Sequence, residues 1–274
     1  MSAAAWSEWL DKELSKSEEI YNLDPDRLIS SYNRERSHIK DYHGRELLEL
    51  IQNADDAGSD FPGDSRLLIK LQNNVLLVAN TGLPFSPKGI KSLMVSDISP
   101  KQEAGEKFIG YKGLGFRSLL GWAKSITILS GHARIGVSET RARAWLSKLM
   151  GKHTNIRNQV EDYTRNKQNF APIATLDAPQ WLSGAEEEFA SLELISQNFI
   201  ESGYDTVICI GFNDIDIQKQ IETQIREIQG ETFVFLRHLQ EVTIEAEEYK
   251  YSWNIERDDN VVEVIEEGGK TQIW

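Results

Sequence analysis

Residues 45–60 read RELLELIQNADDAGSD, and the reading of this stretch decides the fold. Leu47, Leu48, Ile51 and Ala54 recur at helical spacing, which predicts an amphipathic helix with one side toward a core. Glu46, Glu49, Asn53 and Asp56 fall three and four residues apart, so they share the other face. A solvated polar face would explain such a stripe on an isolated helix. Two features weigh against that here. Asn and Asp compete with the helix for backbone hydrogen bonds and are poor interior residues. Gly58 ends the helix directly after Ala57, where small residues permit close approach.

On the N-terminal side, residues 3–20 carry Trp6, Trp9 and Leu10 at helical spacing, LDPDRL breaks that helix, and a second helical pattern runs from 28 to 42. On the C-terminal side, RLLIKLQNNVLLVAN (66–80) has two apolar runs around Gln72-Asn73-Asn74, a β-hairpin signature. SPKGIKSLM (86–94) predicts a short helix with Ser86 as N-cap and Pro87 at the first helical position. GYKGLGFRSLLGWA is a glycine-rich loop opening a helix, and SITILSG with ARIGVSE predicts a second strand pair. Residues 140–200 read as helix plus an exposed connection, with APIATLDAPQW extended. YDTVICIGF (204–212) is a buried strand, 214–229 a charged amphipathic helix, ETFVFLRHL another helix, and EVTIEAEEYKYSWNIE a hairpin. Strands do not alternate strictly with helices, so a doubly wound parallel sheet is disfavoured. The order predicts an α+β fold, a mixed and mostly antiparallel sheet with helices on one face.

The chain has 274 residues, 40% of them hydrophobic and 27% charged, enough for one large or two small domains with a real core. It has no apolar run of membrane-spanning length and no secretory leader pattern at MSAAAWSEWLDKELSK, so no membrane partner is expected. Cys209 is the single cysteine, so no internal disulfide can form; a reducing, cytoplasmic location is expected, and the thiol reads as packing. The net charge of −13 argues against a broad basic surface for duplex DNA. An acidic protein that binds a polyanion must build a local positive site from glycine amides, helix N-termini, lysines and a metal ion. The basic stretch at 141–167 reads as a solvated helix face, with a nucleic-acid or partner contact as the alternative. His38, His43, His132, His153 and His238 show no metal-ligand spacing, and Ser130 and Ser138 lack neighbours for a hydrolase triad.

IGYKGLGFRS (109–118) places Gly110, Gly113 and Gly115 in a GxxGxG pattern. Backbone amides of such a loop, with a helix N-terminus behind, can cradle phosphate oxygens; alone, the spacing describes a structural turn equally well. No strand feeds directly into it, as a dinucleotide-binding fingerprint requires, and no Gly-Lys-Ser/Thr follows, as a P-loop requires.

Taken jointly and in order, LLELIQNADDA, VANTGLPF (78–85) and IGYKGLGFRS resemble the three nucleotide-binding boxes of the GHKL ATPases. That superfamily holds gyrase, the heat-shock chaperone of the Hsp90 type, the histidine kinases and the mismatch-repair ATPases. The resemblance covers residues 44–123 and, more weakly, Thr206. GYKGLGFRS and FVFLRHLQEV look most like the sacsin and NO VEIN type within it.

The resemblance implies a Bergerat-type α/β sandwich over residues 25–212, with 1–24 as an N-terminal arm and 213–274 as a helix-plus-hairpin extension. It implies ATP and Mg²⁺ as cofactors. Glu49 would orient and deprotonate the attacking water. Asn53 would ligate Mg²⁺ through its amide oxygen, a hard donor for a hard cation. Asp56 and Ala57 would shape the pocket floor, and Gly82 would let the base approach the backbone. Asn80 stands where most of the superfamily has an aspartate that accepts the adenine N–H; an amide oxygen can accept as well. Gly110, Gly113 and Gly115 would wrap the phosphates, with Lys101 and Lys112 adding charge. Phe85, Tyr111, Leu114 and Phe116 lie in the same motifs and are expected against the nucleotide. Thr206 would stand on the adenine side, and 86–109 would form a lid. The implied function is a slow, lid-gated ATPase that drives conformational change or homodimerisation in a larger chaperone-like or antiviral-defence assembly, with protein partners or further domains. The alternative is a nucleotide-gated interaction module with negligible hydrolysis. A histidine kinase is disfavoured, because no phospho-acceptor helix is recognisable.

Overall fold

The computed structural model describes residues 1–60, 64–94, 114–165, 170–258, 261–268 and 271–274. Three helices come first: α1 (Ala3–Leu23), α2 (Asp26–Asp41) and α3 (Glu46–Ala57). The hairpin β1 (Arg66–Gln72) and β2 (Val75–Asn80) follows, then α4 (Pro87–Met94) and α5 (Leu114–Ser118). The middle holds β3 (Ser125–Ser130), β4 (Ala133–Ser138), α6 (Glu139–Lys152), α7 (Thr154–Thr164), β5 (Gln180–Trp181), α8 (Ala190–Glu201) and β6 (Thr206–Gly211). The last part holds α9 (Ile215–Glu227), α10 (Gly230–Phe233), β7 (Glu241–Ala246), β8 (Tyr249–Asp258), β9 (Val261–Glu266) and β10 (Thr271–Ile273).

The strands form one sheet in the order β10-β9-β8-β7-β1-β2-β6-β3-β4-β5. Pairing is antiparallel except between β1 and β7, which run parallel from Arg66↔Glu241 to Lys70↔Glu245. The fold is therefore α+β, an α/β sandwich on a mixed, mostly antiparallel sheet. The β1–β2 turn follows the sequence closely: Asn73 and Asn74 both adopt positive φ, 52° and 60°, which twists the turn to match its strands. Ser86 accepts from the Gly89 N–H at 3.1 Å and opens α4 with Pro87 first, as expected.

The main core lies between the sheet and α1, α3, α4, α5, α9 and α10. It joins Leu10, Leu47, Ile51, Ile90, Phe116, Ile221 and Phe233 to Ile69, Val78, Ile126, Ile208, Ile210 and Ile244. The expected single-faced layout needs one correction. Helix α8 covers the reverse face of β2, β6 and β3, where Leu192, Ile195 and Phe199 meet Leu77, Val207 and Cys209. The physical reason is visible in the strands: β2 and β6 are apolar on both faces, and a strand of that kind needs cover on both. Cys209 is fully buried there and its thiol is pushed up to about 11 by burial, as a packing residue should be.

A second core sits under α1, α2, α6 and α7, built from Tyr21, Leu28, Ile29, Trp145, Leu146, Leu149, Ile156 and Val160. Residues 1–24, expected as an arm, are thus largely one helix packed into both cores of its own chain. The basic stretch beyond residue 141 carries ion pairs: Arg143 with Glu139, Lys152 with Glu18 and Arg165 with Asp162. ETFVFLRHL forms only one turn of helix, α10, and APIATLDAPQW contains a 3-10 turn at Thr175–Asp177 before the two-residue β5. Residues 213–274 hold α9 and the β7–β8 hairpin, and β7 continues the sheet beside β1. Among the described residues no helix is long and apolar enough to cross a membrane.

Candidate functional site

Helix α3 carries the polar stripe, and the structure divides it. Glu46 is 1% exposed and accepts hydrogen bonds from the Gly44 N–H at 2.8 Å and from Gln224 at 2.5 Å. It is committed to structure. Glu49, Asn53 and Asp56 remain half-buried, as does Ala57. Burial raises the carboxyl pKa of Glu49 above its ordinary 4.5, opposed by the Arg45 charge.

The end of α3 is built against the turn after β2. Gly82 has φ +123°, and a Cβ there would collide with the Ala57 carbonyl. The N–H of Leu83 donates to that same carbonyl at 2.8 Å, so one of the helix's last unpaired carbonyls is satisfied by the turn. The N–H of Gly82 donates to Asp205 at 2.9 Å, which fixes the turn from the β6 side.

Asn80 and Thr206 are cross-strand partners on β2 and β6. Both are buried, at 6% and 4% exposure, and the Asn80 amide donates to the Thr81 carbonyl at 3.0 Å. Thr206 and Ser130 share a hydrogen bond at 2.6 Å, and Ser130 accepts from the Phe85 N–H at 2.8 Å. One end of β2, β6 and β3 thereby gathers Asn80, Gly82, Phe85 and Thr206 beside Ala57.

At the other end of the stripe, a Cβ on Gly115 would collide with the Glu49 carboxylate. The start of α5 lies directly on the candidate base, and a larger residue at 115 would displace the Glu49 side chain from this position. Phe116 turns inward, 2% exposed, into the main core rather than outward. Lys101, Gly110, Tyr111, Lys112 and Gly113 lie outside the described residues, as does the side chain of Leu114 and most of the expected lid at 86–109.

Several groups at this site carried no sequence signal strong enough to single them out. Arg117, next to the loop, is 1% exposed; it donates to the Leu93 carbonyl at 2.8 Å, while its Nε and Nη1 have no hydrogen-bond partner among the described residues. Burial lowers its pKa, opposed by the Asp177 and Glu35 charges. Asp177 accepts from Tyr21 at 2.5 Å and Ser31 at 2.7 Å, and Glu35 accepts the N–H groups of Thr175 and Leu176 at 2.7 and 3.1 Å. These residues are far apart in the chain, so only the fold joins them. Asp205 had the best local clue, since it directly precedes Thr206 in YDTVICIGF.

Among the described residues no group of three or more His, Cys, Asp or Glu could hold a metal. Asn53 offers one hard amide oxygen, so a divalent cation here would need most of its oxygen ligands from a bound molecule or water. Two surface cavities, of about 190 and 520 Å³, lie elsewhere, one beside Asn73 and Tyr249 and one beside Arg237 and Arg257.

By fold and site this is an α+β protein in which α3 is met by the turn at Gly82 and by the start of α5 at Gly115. No protein-family model matches the chain. Among curated proteins it is similar to Protein NO VEIN of Arabidopsis thaliana, 26% identical over 200 residues. That match covers 71% of this chain and 6% of NO VEIN, so the chain spans a small fraction of its relative's length.

Proposed function

We propose that the chain is a GHKL-type module that binds ATP with Mg²⁺ and hydrolyses it slowly. The observation that carries this reading is convergence. The turn after β2 rests on the end of α3 at Gly82 and Ala57, and the start of α5 rests on Glu49 at Gly115. The described parts of three segments that resemble nucleotide boxes in sequence thus meet at α3, with Asn80 opposite Thr206 across β2 and β6. The likeness to NO VEIN over 71% of the chain is in keeping with the sacsin and NO VEIN type of this superfamily.

In this reading the Asn53 amide oxygen would help to hold Mg²⁺, which would supply charge neutralisation at the phosphates when bound. Glu49 accepts the proton of the attacking water; its raised pKa makes it a stronger base once ionised. Asn80 offers an amide oxygen to the adenine N–H, and Gly82 leaves room for the base to approach the backbone. The glycines and lysines at 101–115 supply amides and charge to the phosphates. The module works within a larger chaperone-like or defence-type assembly, in the cytoplasm, with homodimerisation or a protein partner coupled to nucleotide state.

A second reading, a nucleotide-gated interaction module with negligible turnover, is favoured by one observation. Arg117, the arginine of the loop motif, is buried and tied by its guanidinium to the Leu93 carbonyl in the last turn of α4. One experiment separates the two. ATP affinity and steady-state phosphate release are measured for wild type and Glu49→Ala. Hydrolysis predicts retained affinity with turnover reduced at least about a hundredfold. Turnover unchanged in Glu49→Ala removes Glu49 from the mechanism, and tight binding without turnover in wild type selects the second reading.

A further inference from the structure

Helix α3 is held at both ends by residues beyond 213. At its start, Gln224 of α9 makes a reciprocal pair. Its amide nitrogen donates to Glu46 at 2.5 Å, and its amide oxygen accepts the Leu47 N–H at 3.2 Å. At its end, Asp55 is 6% exposed and accepts three successive backbone N–H groups: Arg237 at 3.0 Å, His238 at 2.8 Å and Leu239 at 2.8 Å. The same turn is gripped from its other side by Arg257 of β8, which donates to the carbonyls of Leu236 at 3.1 Å and Leu239 at 2.7 Å. Gly58 completes the contact, since a Cβ there would stand 3.0 Å from His238 Cβ.

An aspartate in the last turn of a helix faces the negative end of the helix dipole and is unfavourable there by itself. Three charge-assisted amide bonds to a buried carboxylate offset that cost and make the turn a fixed anion nest for one side chain. The contacts exceed what ending α3 requires, because Gly58 already donates to the Ala54 carbonyl and Leu83 to that of Ala57. Glu49 and Asn53 lie between the two attachment points. Proton abstraction from a positioned water tolerates little displacement of the base.

We propose that the C-terminal part of the chain belongs to the catalytic unit, with Asp55 and Gln224 acting as positioning residues that fix α3 and, through it, Glu49 and Asn53. This rests on the nucleotide-site reading above. In the full chain, Asp55→Asn keeps shape but removes the charge and leaves one acceptor oxygen for three amides. Gln224→Ala removes the pair at the other end from a half-buried position, so it remains informative if the Asp55 variant fails to fold.

Two readouts are taken on each variant: hydrogen exchange of the 46–57 amides, and kcat with KM for ATP. Both variants should speed exchange in 46–57 at least about tenfold and lower kcat at least about tenfold, with KM within about threefold. The proposal is overturned if exchange quickens only in 213–240 while α3 and kcat stay as in wild type. If wild type shows no ATP turnover, the hydrolysis reading fails on its own. Exchange in 46–57 then still decides whether these residues brace α3, and unchanged exchange there overturns the proposal.

Discussion

Glu49 stands half-buried with the backbone of Gly115 against its carboxylate, and its chemistry follows from that environment. Burial disfavours the ionised form, so the carboxyl titrates above 4.5. Under the proposed hydrolysis Glu49 acts as general base only when ionised, so turnover should rise with pH along an acidic limb whose midpoint lies above that value. A pH–kcat profile checks this, and a flat profile from pH 4 to 8 would contradict it. At this scale the sequence was informative where one local pattern carried the signal. The spacing of Glu49, Asn53 and Asp56 announced a face, and all three share the half-buried side of α3. Glu46 belongs to the same pattern by spacing yet is committed to Gln224, because helical periodicity cannot say which polar residue meets a distant partner. Asp55 was invisible for the same reason: its three amide partners lie more than 180 positions further along the chain.

Elements were legible where turn chemistry or capping acts locally. The two asparagines of the β1–β2 turn and the Ser86-Pro87 start of α4 need nothing beyond their neighbours. Helix α8 was less legible. Its amphipathic side is plain, but which sheet face it covers depends on the two-sided apolarity of β2 and β6. The attachment of α2 to the turn at Thr175–Asp177 was not legible at all, and it carries a pH-dependent term. Glu35 is 2% exposed and its carboxyl is raised from 4.5 to about 7, chiefly by burial and partly countered by the amides of Thr175 and Leu176. Between those two values the folded state holds more of this proton than the unfolded state. The contribution of Glu35 is therefore most favourable below about pH 4.5 and is lost as pH rises through 7. Denaturant unfolding from pH 5 to 8 should show wild type losing up to about 3 kcal/mol relative to Glu35→Gln. Parallel pH dependences for the two proteins would contradict this account of Glu35.

Over the whole molecule, one sheet joins what the sequence divided into arm, domain and extension. The element order made the α+β class legible, since it ruled out regular alternation of strand and helix. It left hidden the parallel β1–β7 pair that makes residues 213–274 continuous with the rest, because parallel pairing across such a separation leaves no local mark. The proposal that belongs to this scale is that helix α3, the turn at Gly82 and the start of α5 together form a site for ATP with Mg²⁺. The most direct test is calorimetric titration of the full chain with Mg-ATP, beside Asn53→Ala. The account predicts saturable binding by wild type and binding weakened at least about tenfold in the variant, the lower end of what loss of even an outer-shell partner of a metal site costs. Absence of binding in wild type, or equal binding by both proteins, would contradict it.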